Sequence, residues 1–254
     1  MKIVVTVKLV PDTNADKRID PATKRLVRTG VDTVLNPFDE YALEAALQIR
    51  DALADGSTVT VFSMAPESGK EVVRKALAMG ADDAAMLSDT ALEGSDSAAT
   101  AFAMSRALQS IGFDLILMGT QSTDAITGAV PGMLAEYLGV PGVTYARKLE
   151  CDGSSISAER ETETGYQRVH ASLPALVSVT KSINQPRYPS LKGIMGAKKK
   201  EIRMLTAAGA EQSKTEVVGM QAPPARAKGR VVTVADGAEG ARVIVDFLRE
   251  RKLV

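Results

Sequence analysis

Few side chains in this sequence could make or break bonds. There is one cysteine, Cys151, and one histidine, His170. A Cys–His pair could only join these two, and a Ser–His–Asp triad would have to use His170. His170 falls in a strand-like run, YQRVHASL, and Cys151 precedes a turn with no base beside it. Neither is assigned a catalytic role. The same census excludes a disulfide framework and a structural zinc site with several Cys and His ligands. What remains points to binding. The strongest candidate runs Gly119-Thr120-Gln121-Ser122-Thr123-Asp124-Ala125-Ile126-Thr127-Gly128, after an apolar strand and before a helix. Gly, Ser and Thr let backbone N–H groups and hydroxyls approach a phosphate at a helix N-terminus. The loop is longer than the roughly two to six residues usual between a strand and a helix. An ordinary capped loop is the competing reading. Neither a G-x-G-x-x-G fingerprint nor a G-x-x-x-x-G-K-[ST] loop occurs.

Those residues need a scaffold. KIVVTV (2–7) reads as a buried strand stopped by proline. Residues 11–35 are polar and turn-rich, an excursion with a hairpin. Asn36-Pro37 opens a helix, with Asn as N-cap, Pro in the first turn, and Asp39 and Glu40 at the positive end. Its apolar positions, Tyr41, Ala42, Ala45, Ala46, Ile49 and Leu53, recur at helical spacing. Strand, helix and strand then alternate through 57–63, 66–79 and 84–87. A helix capped by Ser95 runs to Ile111, followed by the strand at 114–118 and a helix over 130–138. Continuous apolar strands alternating with helices predict an α/β fold, a mostly parallel sheet with helices on both faces. Runs at 143–150, 155–161, 166–173 and 175–180 predict an antiparallel extension, with a separate small β domain as the competing reading. Residues 181–196 read as an irregular loop and 198–204 as a short basic helix. Residues 207–230, including Pro223-Pro224, read as a linker, and 237–252 as a terminal helix. The expected domains are 1–206 and a C-terminal arm, 207–254, that docks on another chain. In open sheets of this kind, ligands bind beyond the C-terminal strand ends. Thr6–Val10, Asn36 and Ser63–Pro66 join the 119–128 loop at that edge and could ring an adenosine.

Charge and hydropathy narrow the function. The 254 residues carry 31 Lys and Arg against 31 Asp and Glu. This neutrality argues against a nucleic-acid protein held by a broad positive field. No apolar run approaches the ~18 residues of a membrane-crossing helix. MKIVVTVKLVPD lacks the pattern of a signal peptide, so a cytoplasmic setting is expected. Lys198–Lys200 reads as a solvated face, as does the row Glu159, Glu161 and Glu163. One loop stands apart: 184–195 carries Tyr188, Leu191, Ile194 and Met195 among polar residues. An apolar tip on a surface loop suggests a partner anchor, unless it folds back into the core.

Taken in order, VKLVPD (7–12), NPFDEYALEAAL (36–47), ALAMGAD (76–82), GTQSTDAITGAVP (119–131) and PRYPSLKGIMGAKKKEI (186–202) form a set. This set resembles the beta subunit of electron transfer flavoproteins, the ETF beta/FixA family, across essentially the whole chain. R-Y-P-S-L-x-x-I-M-x-A-K-K-K is its most specific part. The resemblance implies a fold similar to adenine nucleotide alpha hydrolases and a heterodimer with an alpha subunit that holds most of the FAD. It implies a structural AMP touching Thr6, Lys8, Asn36, Met64, Ala65, Gly119, Gln121, Ser122, Asp124, Ile126, Thr127 and Gly128, with its phosphate on the Ile126–Ala129 backbone. Thr13 and Phe38 match positions that approach the flavin. The 186–197 segment matches the recognition loop for acyl-CoA dehydrogenases, with Leu191 as anchor. The nucleotide loop is shorter than the D-x-D-x-x-Q-T-G type and lacks the D-G-D-T-A-Q pattern of bifurcating members, which favours AMP over a second FAD. The function so implied is an electron carrier without catalytic residues, passing electrons to ETF-quinone oxidoreductase. The alternatives are a bifurcating subunit with FAD in beta and a stand-alone adenine-nucleotide-binding regulatory protein.

Overall fold

The computed structural model describes residues 1–254 apart from 210, 222, 223 and 225–228, so half of the Pro223-Pro224 linker signal lies outside the described residues. The elements are β1 (Lys2–Thr6), β2 (Leu9–Pro11), β3 (Ile19–Asp20), β4 (Arg25–Leu26), β5 (Thr33–Leu35), α1 (Pro37–Leu53), β6 (Thr58–Met64), α2 (Lys70–Met79) and β7 (Asp83–Leu87). There follow α3 (Ser97–Ile111), β8 (Leu115–Gly119), α4 (Val130–Leu138), β9 (Gly142–Cys151), β10 (Ser155–Thr162), β11 (Gly165–Ser172), β12 (Ala175–Val179), α5 (Leu191–Lys199), β13 (Arg203–Leu205) and α6 (Gly237–Glu250). Nine strands form one sheet in the order β11-β10-β9-β12-β8-β1-β6-β7-β13. From β12 to β13 all pairing is parallel.

Side chains alternate across a strand, so a sheet covered on both faces needs apolar residues at every position. Ile3, Val5, Val59, Val61, Leu115 and Leu117 face α1 and α2. Val4, Phe62, Ile116, Met118 and Leu176 face α3 and α4. This is the α/β sandwich the alternation predicted. The antiparallel strands belong to the same sheet: β9 pairs parallel with β12 and antiparallel with β10, which pairs with β11. They are an extension, not a separate β domain, but the strand expected at 175–180 is not part of its antiparallel pairing: β12 inserts between β8 and β9 and runs parallel to both.

Several local expectations change. Asp96, not Ser95, caps α3, its carboxylate accepting from Ala99 N–H. Residues 181–190 are irregular, but the helix that follows is α5, which starts seven positions before the expected basic helix. Lys198 and Lys199 are its last turn, where cations suit the negative end of the dipole. The expected helix at 198–204 instead yields β13, which extends the sheet beside β7. Lys200 is not part of a solvated face, because its Nζ donates to the Ala81 carbonyl at 2.6 Å. Glu159 is half-buried and paired with Arg147 at 2.9 Å rather than freely solvated.

The chain divides into two compact units, Met1–Met220 and Gln221–Val254. In the second, Asp236 caps α6 by accepting from Glu239 N–H, and Glu239 accepts in turn from Ala235 N–H. The arrangement is close to a capping box, with Glu239 reaching one residue past the cap.

Candidate functional site

In the sheet order, β8 and β1 are neighbours whose following helices lie on opposite faces. The chain leaves β1 for α1 on one side and β8 for α4 on the other. A crevice must open between strand ends that part in this way. It does: a cleft of about 390 Å³ lies there, lined from the strand ends, the loop after β8 and the start of α3. That is at the small end of the ~300–1,000 Å³ typical of ligand sites.

The floor is tied by α1. Asp39, in its first turn, is buried. Its Oδ2 accepts from Lys8 N–H at 2.9 Å and its Oδ1 from Gly119 N–H at 3.3 Å. One carboxylate thus pins the exits of both switch-point strands. Burial pushes the Asp39 carboxyl up to about 7, against the pull of Asn36, the two N–H donors and the Lys8 charge. Gly119 cannot carry a side chain, because a Cβ would sit 2.5 Å from Asp39 Oδ1 and 2.7 Å from Phe38 Cβ.

Asn36 precedes α1 but its side chain does not cap the helix. Instead Nδ2 donates to the Gln121 carbonyl at 3.0 Å and Oδ1 accepts from Thr123 N–H at 3.2 Å. The expected N-cap therefore organises the 119–128 loop. Further along that loop, Ile126 (φ 53°) and Gly128 (φ 62°) take left-handed backbone. That is uncommon for a β-branched residue and marks a constrained turn. A Cβ at Gly128 would meet the Tyr145 hydroxyl at 2.8 Å.

The cleft is cationic at its rim. Lys8 Nζ donates to Asp124 Oδ1 at 2.8 Å and to Ser122 Oγ at 3.2 Å, and Arg28 Nη2 reaches Asp124 Oδ2 at 2.6 Å. The Asp124 side chain is 1% exposed. Burial alone would raise its carboxyl, but Lys8, Arg28 and Ser122 outweigh that and hold it down at about 2. Two helices begin here. The α3 terminus is occupied by Asp96, while α4 has no side-chain cap and its first residues, Val130 and Pro131, line the cleft. Uncapped N–H groups at a helix start favour an anion.

Of the expected nucleotide contacts, Thr6, Lys8, Met64, Gly119, Gln121, Ser122, Thr127 and Gly128 line this cleft. Asn36 and Asp124 stand just behind it, holding residues that do. Ala65, Ile126 and Ala129 are not among the lining residues, and Ile126 is 61% exposed. Phe38 is half-buried beside Gly119, and Thr13 is exposed in a turn held by Asp12. The sequence reading missed Asp39 as a tie, seeing only a helix-dipole partner. It missed Arg25, Arg28 and Asp96 altogether, and no local pattern around them could have signalled a cleft.

The second expected site is a helix face, not a loop tip. Leu191, Ile194 and Met195 are 82%, 42% and 68% exposed on α5, with Tyr188 just ahead at 92%. They do not fold back into the core. Ser190 caps α5 through Gly193 N–H at 3.0 Å. A Cβ at Gly193 would lie 2.3 Å from the Ala78 carbonyl, so glycine lets α5 press onto the end of α2. Arg74 donates to the Ala197 and Lys200 carbonyls from beneath. The preceding segment is stitched to α1: Asn184 Nδ2 donates to the Tyr41 carbonyl at 3.0 Å, and Arg187 grips the buried Glu44 at 2.7 and 3.1 Å.

Elsewhere, His170 Nδ1 meets Ser157 Oγ at 2.7 Å on exposed strands. Burial pushes the Cys151 thiol up, away from the thiolate a nucleophile needs. Among the described residues no His, Cys, Asp or Glu cluster could hold a metal ion, and no helix is long and apolar enough to cross a membrane.

Fold and cleft thus define the class: a doubly wound α/β protein with a cleft of small-molecule size at the switch point of its sheet. The electron transfer flavoprotein domain family matches residues 23–210. The chain is 43% identical to the electron transfer flavoprotein subunit beta of Mycobacterium tuberculosis, over 99% of each chain. It is 42% identical to the same-named subunit of Megasphaera elsdenii, over 99% of this chain and 97% of that one. It is 37% identical, over the full length of both, to the caffeyl-CoA reductase-Etf complex subunit CarD of Acetobacterium woodii. The chain belongs to the electron transfer flavoprotein beta-subunit family.

Proposed function

We propose that the chain is the beta half of a cytoplasmic heterodimeric electron carrier, with AMP in its cleft and FAD held mainly by an alpha subunit. The flavin supplies the redox chemistry when bound. This chain's residues bind, orient and dock. The observation that carries the reading is the cleft itself, where a cationic rim and an uncapped helix start converge on a site of small-ligand size. Such a site suits one phosphate and a nucleoside body. Thr13 and Phe38 then edge the flavin. The α5 face, with Tyr188, Leu191, Ile194 and Met195, presents an anchor to acyl-CoA dehydrogenases, and electrons leave to ETF-quinone oxidoreductase. The 207–254 arm, which carries the amphipathic α6 with Ile244 and Phe247 exposed, docks on alpha.

A second reading follows from the relative named as part of a caffeyl-CoA reductase complex: the chain would serve a bifurcating assembly with a second FAD in place of AMP. One experiment separates them. The purified complex is denatured and its released nucleotides are separated and counted per heterodimer. One AMP and one FAD are expected. Two FAD without AMP would establish the second reading, and no adenine nucleotide beyond a single FAD would end the AMP claim.

A further inference from the structure

The excursion between β1 and α1 crosses the cleft. Its base is closed by the β2–β5 ladder, which pairs Leu9 with Leu35 and Pro11 with Thr33. Its tip is the β3–β4 hairpin, pairing Asp20 with Arg25. From this one hairpin two arginines reach opposite lips of the cleft. Arg25 Nη2 donates to the Gly94 carbonyl at 2.8 Å, in the turn before α3. Arg28 Nε and Nη2 donate to Asp124 Oδ2 at 3.2 and 2.6 Å, in the loop before α4. Both arginines line the cleft. Gly94 takes a left-handed backbone there, with φ 82°, and the Arg25 guanidinium lies close over it. The other charged groups facing the cleft are Lys8, Asp39 and Asp96, and each is engaged by the protein: Lys8 with Asp124, Asp39 with backbone N–H groups, and Asp96 with the α3 start.

We propose that residues 12–32 form a strap, latched by Arg25 and Arg28 to the two lips, that governs how fast an anionic nucleotide enters and leaves the cleft. The proposal rests on the nucleotide reading above. Both latches are charge-assisted hydrogen bonds near solvent, stronger than neutral ones yet able to open. Opening them breaks no core packing, because the tip is a two-stranded ribbon outside the main sheet. A guanidinium has five donors, so Arg28 can keep Asp124 while turning another N–H toward a phosphate.

The test is exchange of bound AMP for radiolabelled AMP in the purified heterodimer. Arg28→Ala and Arg25→Ala are each expected to speed exchange by about tenfold or more, since each removes at least one charge-assisted hydrogen bond of the latch. A latch changes release and rebinding together, so saturating AMP still gives full occupancy. Arg28→Lys, which keeps a cation near Asp124, should restore much of the slow exchange and serves if the alanine variant folds poorly. Unchanged exchange in these variants overturns the strap, and so does faster release with no faster rebinding, which would make Arg28 an ordinary contact. Wild-type complex that holds no AMP would overturn the nucleotide reading itself, a separately visible failure.

Discussion

The cleft and the exposed face of α5 are both anchored to α1, but by contrary devices. At the start of α1, Asn36 and Asp39 turn inward, and both are buried among backbone donors and acceptors. One and a half turns later Glu44 is buried too, but its partner Arg187 carries a segment outward that ends in the exposed apolar face of α5. The cleft buries its carboxylates, keeps cations at its rim and leaves a space; α5 sits over a buried carboxylate and displays apolar side chains. The difference fits what each is proposed to hold. A small ligand has little surface, so the protein must close around it and bring polar groups to convergence. A protein partner brings its own pocket, so an anchor must protrude and stay rigid, which limits the entropy lost on binding.

That contrast can be broken most sharply at Gly119. Gly119→Ala drives a methyl group against Asp39 Oδ1 and the Phe38 backbone at 2.5 and 2.8 Å. Overpacking of this kind costs about 1–3 kcal/mol, and here it pushes α1 off the end of β8. Urea unfolding should show that loss and the purified complex should retain less AMP, while the α5 face is untouched. A variant with wild-type stability and full AMP content would show that the close approach is not needed.

Leu191→Ala probes the other side. The side chain is 82% exposed, so folding stability should change by less than about 0.5 kcal/mol. Affinity for an acyl-CoA dehydrogenase should fall by tenfold or more, as for a buried interface anchor worth ~2 kcal/mol. Flavin and AMP content should not move. An unaltered dehydrogenase affinity would remove Leu191 from the anchor, and a loss of AMP would show that the two sites are not independent.

How much of this could be read from the residues alone differs between the regions in the same way. The βα rhythm, the order of the strands along the chain and the loop after β8 follow from local apolar period and glycine placement, which are properties of neighbouring residues. The α5 helix did not, because Gly193 and Gly196 read as breakers. Gly193 is there for packing: only a residue without Cβ can meet the Ala78 carbonyl. The basic run at Lys198 was real, but it is the end of one element and not the start of another. In the cleft, Lys8 and Ser122 were visible as polar residues near strand ends. Arg28 was not, because its meeting with Asp124 is made by a long excursion that no local pattern specifies. Asp39 shows the limit best. An acid in a first helical turn is adequately explained by the dipole, so nothing prompts a search for its second role.

Asp39 also supplies the subtlest test, because the two cleft carboxyls should respond to pH in opposite senses. Asp39 is raised to about 7 by burial, whereas an unfolded aspartate ionises near 4. Between those values the unfolded chain has lost a proton that the fold retains. This group's contribution is therefore full below about 4, declines as pH rises, and is gone above about 7. Asp124, held at about 2, does the reverse: its pairing with Lys8 and Arg28 contributes above about 4 and is lost as pH falls toward 2. Asp39→Asn keeps the shape and removes the titration. The stability difference between wild type and this variant, followed by urea unfolding from pH 4 to 8, should shrink in favour of the variant up to about 7 and then level. A difference that stays flat from 4 to 7 would mean that the Lys8 and Gly119 N–H groups already hold Asp39 ionised. The cleft floor would then resemble the Glu44–Arg187 pair beneath α5, charged and compensated, and the contrast between the two regions would rest on exposure alone.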